Sequence, residues 1–237
     1  MAEGYPGWFA PLLDVVEHAQ AHQLSVFAPP VDRSPRRSAV LILFGEGPQG
    51  PDVLLTERAA DLRSHAGQVA FPGGALDPDD AGPIGAALRE GQEETGLDPS
   101  GIQVAGALPD LYLLVSDFVV TPVIAWWRAP SPVGPANPAE VAAVTRVPVA
   151  ELVDPANRFR VIHPSGYVGP GFAASGLFVW GFTAALLDRL LALTGWERPW
   201  DVTRSRPLPL TVSGRRAAGD GPAQHPSIAP ASREIHP

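Results

Sequence analysis

The chain has 237 residues, 45% hydrophobic and 18% charged, enough to bury the core of one generous domain or of one domain with appendages. Its 17 basic residues stand against 25 acidic ones, a net charge of −8, which argues against wrapping a nucleic acid whose phosphates must be neutralised. Cysteine is absent and every basic residue is arginine, which excludes disulfide scaffolds, thiol nucleophiles, cysteine–zinc sites, lysine Schiff bases and the lysine of a P-loop.

The N-terminus carries Glu3 and no basic stretch before its first apolar residues, so no signal peptide is expected. Together with the missing cysteines this fits a cytoplasmic protein. Phe9, Leu12, Leu13, Val16 and Ala19 recur at helical spacing and predict an amphipathic helix over 9–20. A linker with Pro29, Pro30 and Pro35 follows, so residues 1–37 read as helix plus linker. Short aliphatic runs predict strands at 39–44, 52–56 and 68–71, the last stopped by Pro72-Gly73-Gly74. A helix is expected over 84–95, closed by Gly96. Strands follow at 102–108 and 118–127, then a Pro-rich loop from Pro130 to Pro138. Residues 141–147 predict a strand, with a short helix from Val149, and 158–162 another strand. The final helix is expected over 178–193. The apolar run there, 176–187, is too short for a bilayer, so no membrane partner is expected. Past Arg198, Pro, Ser, Gly and Arg dominate, which predicts a disordered tail over 198–237 and a main domain over 38–197. Strands mingled with a few helices give an α/β (α+β) class, one mixed sheet with helices packed against it.

Chemistry concentrates between Leu54 and Leu97. Glu90, Glu93 and Glu94 stand at i, i+3 and i+4, three carboxylates on one turn. Like charges this close repel unless something positive sits among them, and oxygen-ligated magnesium is the cation that also leaves room for phosphates. Ile84, Leu88, Gly91 and Thr95 predict the opposite, sheet-facing side of the helix, which would turn the carboxylates to solvent. Asp77, Asp79 and Asp80 precede the helix. Gly73 and Gly74 form a turn whose bare backbone can approach a phosphate. Arg58 and Arg63 have two readings, phosphate ligands or structural ion pairs with Glu57 or Asp61, and His65 is either a substrate contact or a loop hydrogen-bonder.

These residues resemble a known family. REGQEETGL, Arg89 to Leu97, is similar to the second half of the Nudix box, G-x5-E-x7-R-E-U-x-E-E-x-G-U, with Gly91 at a position normally apolar and larger. With Gly74 as the box glycine, one extra residue is present and Asp80 stands where the box has its first glutamate. Upstream, LLTERAADLRSHAGQVAFPGG resembles the signature of the coenzyme A pyrophosphatase branch, L-L-T-x-R-[SA]-x3-R-x3-G-x3-F-P-G-G, and every fixed position is filled. The resemblance spans roughly Ala39 to Leu193.

What the resemblance implies is a Nudix-type α/β/α sandwich that hydrolyses the diphosphate of coenzyme A or a derivative with magnesium or manganese. It makes Glu90, Glu93 and Glu94 the metal ligands, Arg89 the residue that orients them, and Arg58, Arg63, His65, Gly73 and Gly74 the substrate-binding set. The rivals are a Nudix hydrolase of NADH or ADP-ribose, against which the upstream signature argues, and a silent nucleotide-sensing module, which would be expected to lose box glutamates.

Overall fold

The longest strand organises the molecule. In β1 (Arg36–Gly47), Ala39, Leu41 and Leu43 are buried on one side and Ile42 and Phe44 on the other, so the strand must be covered on both faces. The computed structural model describes residues 4–25, 35–60, 67–114 and 116–209. β1 lies parallel to β7 (Phe118–Trp127) and turns at Gly47–Gly50 into antiparallel β2 (Gly50–Arg58).

The two strands of this hairpin pair only near the turn, from Phe44–Val53 to Gly47–Gly50, and then separate. Further along, β2 takes β3 (Val69–Ala70) as neighbour, and β1 takes β4 (Gly73–Ala75). The link Phe71-Pro72 therefore crosses a split in the sheet, anchored where Leu41 N–H donates to the Pro72 carbonyl at 2.8 Å. Pro72-Gly73-Gly74 was expected to form a tight turn after stopping a strand. Instead Gly73 and Gly74 open a new one, because a Cβ on Gly73 would sit 2.4 Å from the Ala39 carbonyl oxygen and only glycine lets the strands meet.

β5 (Ile102–Ala107), β6 (Leu111–Leu113) and β8 (Val141–Pro148) complete an eight-stranded mixed sheet. Its two faces bury separate cores. On one, α3 (Gly82–Thr95) lays Ala86 and Ala87 against Ala39, Leu41, Leu43 and Val123. On the other, α1 (Ala10–His18) and α5 (Gly181–Leu193) pack Phe9, Leu12, Leu187 and Leu190 against Ile42 and Phe44. Two short helices, α2 (Ala21–Leu24) and α4 (Val149–Val153), belong to the second face, where Leu24, Leu152 and Val153 join that core. The sandwich is as expected, and the N-terminal helix is part of its main core.

A second, four-stranded sheet is a departure. β9 (Arg158–Ile162), β10 (Val168–Ala174), β11 (Leu177–Val179) and β12 (Ser205–Pro207) run in the order β11-β10-β9-β12. Only β9 was read from sequence. Phe178 and Val179, expected to start the last helix, pair with Ala173 and Phe172, and the helix begins at Gly181 with φ of 66°. The chain expected to be a tail from 198 is placed as far as Pro209. β12 runs parallel to β9 and Leu208 is buried beside Phe159 and Val161. Arg158, fully buried, donates to Asp188 of α5 and to Glu197 at 3.0 Å, tying that segment to the sheet. No helix among the described residues is long and apolar enough to cross a membrane.

Candidate active site

α3 has Pro83 in its first turn and ends on Gly96 in the left-handed region at φ 70°. Its approach to the sheet is set by small residues: a Cβ at Gly91 would stand 2.9 Å from Leu41 Cδ2. The rotation this contact fixes corrects the expectation that all three carboxylates face solvent. Glu94 lies on the sheet side with 6% of its side chain exposed, Glu90 is intermediate at 18%, and only Glu93, at 59%, points outward. Ile84, expected in the core, is exposed in the first turn, while Gly91 and Thr95 are buried as expected.

The positive charge demanded by the carboxylates is Arg89. Its guanidinium makes a two-pronged contact with Asp80, Nε to Oδ1 at 2.9 Å and Nη2 to Oδ2 at 3.0 Å. Nη1 donates to Glu90 Oε1 and to Glu93 Oε2, both at 3.0 Å, and Nη2 also reaches the Ala75 carbonyl at 3.1 Å. Asp80 thus has a visible task, holding the arginine that holds the glutamates, and the guanidinium keeps its carboxyl below the usual carboxylate range. The same carboxylates push the Arg89 pKa up further.

Glu90 and Glu94 meet the Gly-Gly strand. A Cβ on Gly74 would fall 2.2 Å from Glu90 Oε1, so glycine is what leaves space for that carboxylate. Glu94 Oε2 accepts from Gly73 N–H at 3.3 Å, and Arg58 Nη1 stands 3.9 Å from Glu94 Oε1. Burial pushes the Glu94 carboxyl up to about 7, with the Gly73 amide and Arg58 opposing and Glu90 and Glu140 adding to the rise. Burial raises Glu90 too, Arg89 opposes, and the charges of Glu93 and Glu140 add.

The donor set fits a hard divalent cation, since it is all carboxylate oxygen and one member is buried with its charge only partly compensated. Among the described residues no three acidic or imidazole groups already converge on one point, because Arg89 draws Glu90 and Glu93 toward itself.

Arg58 is brought to this site, paired with Glu94 rather than with Glu57, and its Nε is buried without a partner among the described residues; Asp61 lies outside them. Arg63 and His65 lie outside the described residues, but the ends of their loop meet: Arg58 N–H donates to Gln68 O at 2.9 Å and Gly67 N–H to Arg58 O at 3.1 Å. Other signature residues serve the fold, Leu54 and Leu55 in the two cores and Thr56 through its hydroxyl to the Ala70 carbonyl. Sequence reasoning missed Glu140. It sits just before β8, its carbonyl accepts from Ala59 N–H at 2.8 Å, and nothing local marks it; only the pairing of β8 with β2 brings it here.

Comparison with known proteins identifies the family. The NUDIX domain model matches residues 34–165, more than half of the chain. The chain is 43% identical over 171 residues to the "Uncharacterized Nudix hydrolase NudL" of Cronobacter sakazakii, covering 69% of this chain and 85% of that protein. It is 42% identical over 173 residues to the protein of the same description from Salmonella paratyphi B, covering 68% and 83%. Among solved structures, the Nudix hydrolase RenU of M. smegmatis superposes with a TM-score of 0.49 at 23% identity, over 70% of this chain and 90% of that one.

Proposed function

The chain belongs to the Nudix family, and we propose that the nucleoside diphosphate derivative it hydrolyses is coenzyme A or one of its derivatives, cut to 3′,5′-ADP and 4′-phosphopantetheine. The observation that carries this reading is the completely filled signature from Leu54 to Gly74, which delivers Arg58 and the Gly73-Gly74 strand to the carboxylates of α3. Retention of all three box glutamates favours an enzyme over a silent nucleotide sensor.

In this reading Glu90, Glu93 and Glu94 would hold a magnesium or manganese ion. When bound, the ion neutralises diphosphate charge and lowers the pKa of the attacking water. The protein's own residues do the positioning. Asp80 fixes Arg89, and Arg89 keeps Glu90 and Glu93 from swinging away. Gly73 N–H orients Glu94, and the absent Cβ of Gly74 lets a phosphate come close to Glu90. Arg58 takes a diphosphate oxygen beside Glu94, which leaves the 3′-phosphate to Arg63 or His65 of the same signature. Arg58→Ala should then lower kcat/KM about ten- to a hundred-fold. Coenzyme A and dephospho-coenzyme A should suffer alike; loss confined to coenzyme A would move Arg58 to the 3′-phosphate.

Incubating the full-length protein with coenzyme A and magnesium, and weighing the products, tests the substrate directly. The expected masses are those of 3′,5′-ADP and 4′-phosphopantetheine. Intact coenzyme A under conditions where ADP-ribose or NADH is cleaved would overturn the assignment.

A further inference from the structure

Between Trp127 and β8, residues 130–138 include four prolines, which fix φ and have no N–H to give. Two of the remaining amides are spent on the end of α3. Gly134 N–H donates to the Thr95 carbonyl at 3.0 Å, and Ala136 N–H to the carbonyl of Glu94 itself at 3.1 Å. The last carbonyls of a helix have no intrahelical partner, so the loop takes the place of a cap. Asp98 N–H donates to Ser131 Oγ at 2.9 Å, and Val133 packs into the core with Leu97 and Trp127. At its other end the loop is fastened to β2, where the Glu140 carbonyl accepts from Ala59 N–H at 2.8 Å and Val141 pairs with Arg58. One proline-stiffened segment thus grips the main chain of Glu94 and the main chain at Arg58.

The side-chain contacts of Glu94 are loose by comparison. Glu94 Oε2 stands 3.3 Å from the Gly73 nitrogen, a long hydrogen bond, and Arg58 Nη1 is 3.9 Å from Glu94 Oε1, beyond hydrogen-bond length. Where side-chain contacts are this long, the main chain decides where the carboxylate stands. We propose that the Pro-rich loop is a positioning strap for the reaction, acting through the Ala136 amide. It sets the Glu94 carboxylate at a fixed spacing from the Arg58 guanidinium, the gap that a cation and a diphosphate oxygen have to fill. The proposal rests on Glu94 holding the cation, as read above, but not on the identity of the substrate.

The test is manganese binding to the free full-length protein, followed by electron paramagnetic resonance without substrate. Ala136→Pro deletes the amide hydrogen, and an ester in place of the Pro135–Ala136 peptide bond deletes it without adding a ring. Losing a group that orients a metal ligand costs about 10–100-fold in affinity, so both changes should weaken manganese binding about tenfold or more. Ala136→Ser keeps the amide and alters only an exposed side chain, so it should bind as wild type. Ala129→Pro removes another tie of the same loop, from Ala129 N–H to the Gly101 carbonyl at 3.0 Å, which leads to the start of β5 and not to α3. It should lower Tm and leave manganese affinity unchanged. Wild-type affinity in the ester variant, or an equal loss in Ala129→Pro, would overturn the proposal. Glu94→Gln, measured alongside, separates the two readings. A loss there with none at Ala136 removes the strap alone, whereas wild-type affinity in Glu94→Gln removes Glu94 as a ligand and the strap with it.

Discussion

Glu94 shows how much of a residue's character the fold decides. Its place in the box was legible, because three glutamates at i, i+3 and i+4 beside an arginine form a specific pattern. Its burial was not, since helical spacing assigns a face only relative to the sheet, and the rotation depends on Gly91 closing onto Leu41. Burial has a measurable consequence. Folding holds the carboxyl at about 7, above its ordinary 4.5, so the folded state favours the protonated form. In EDTA, the stability this group supplies at low pH should be lost as pH rises from about 4.5 through about 7. Glu94→Gln, a neutral isostere that can keep the Gly73 contact, should flatten the melting curve against pH in that window. It should also melt above wild type at pH 8 while losing turnover. Parallel curves for the two proteins would show that the carboxyl is not strained by burial.

At the scale of elements, the split between β1 and β2 builds the site, and it was invisible in advance. The sequence displayed a Gly-Gly turn, but two adjacent glycines do not say which of them faces backbone and which faces a carboxylate. The structure separates them. A Cβ at Gly73 meets the Ala39 carbonyl at 2.4 Å and Val40 Cα at 2.8 Å, whereas the nearest atoms to a Cβ at Gly74 are those of the Glu90 carboxylate, from 2.2 Å. Main chain cannot yield, but a side chain can. Gly73→Ala should therefore break the β1–β4 pairing and lower Tm, and Gly74→Ala should displace Glu90, costing turnover with little change in Tm. Equal melting losses in both variants would contradict this division. Asp80 belongs here too: the extra residue before the helix looked like a departure from the motif, and it forms part of the loop that grips Arg89.

Across the whole molecule, the sandwich was readable from aliphatic runs and one strong helix, while the second sheet was not. Its strands are short, Gly- and Pro-bearing, and bounded by an apolar run that suits helix or strand equally. Composition also placed the tail too early, because Pro and Arg near residue 205 do not reveal that β9 has a free edge for β12. Deleting residues 205–237 should therefore destabilise, relative to a chain ending at Pro209. Burial of one leucine contributes roughly 1.5–3 kcal/mol, and for a domain of this size that is a drop in Tm of about 3–12 °C. The contact of Arg206 with the Phe159 ring, at 4.4 Å, would be lost as well. An unchanged Tm would mean that β12 adds nothing to the folded unit. The central claim, that this site works on coenzyme A, is tested most directly by kcat/KM at saturating magnesium for coenzyme A, dephospho-coenzyme A, ADP-ribose and NADH. Coenzyme A should lead, exceeding its dephospho form by about ten- to a hundred-fold through one charge-assisted phosphate contact. A higher value for ADP-ribose or NADH would contradict the account.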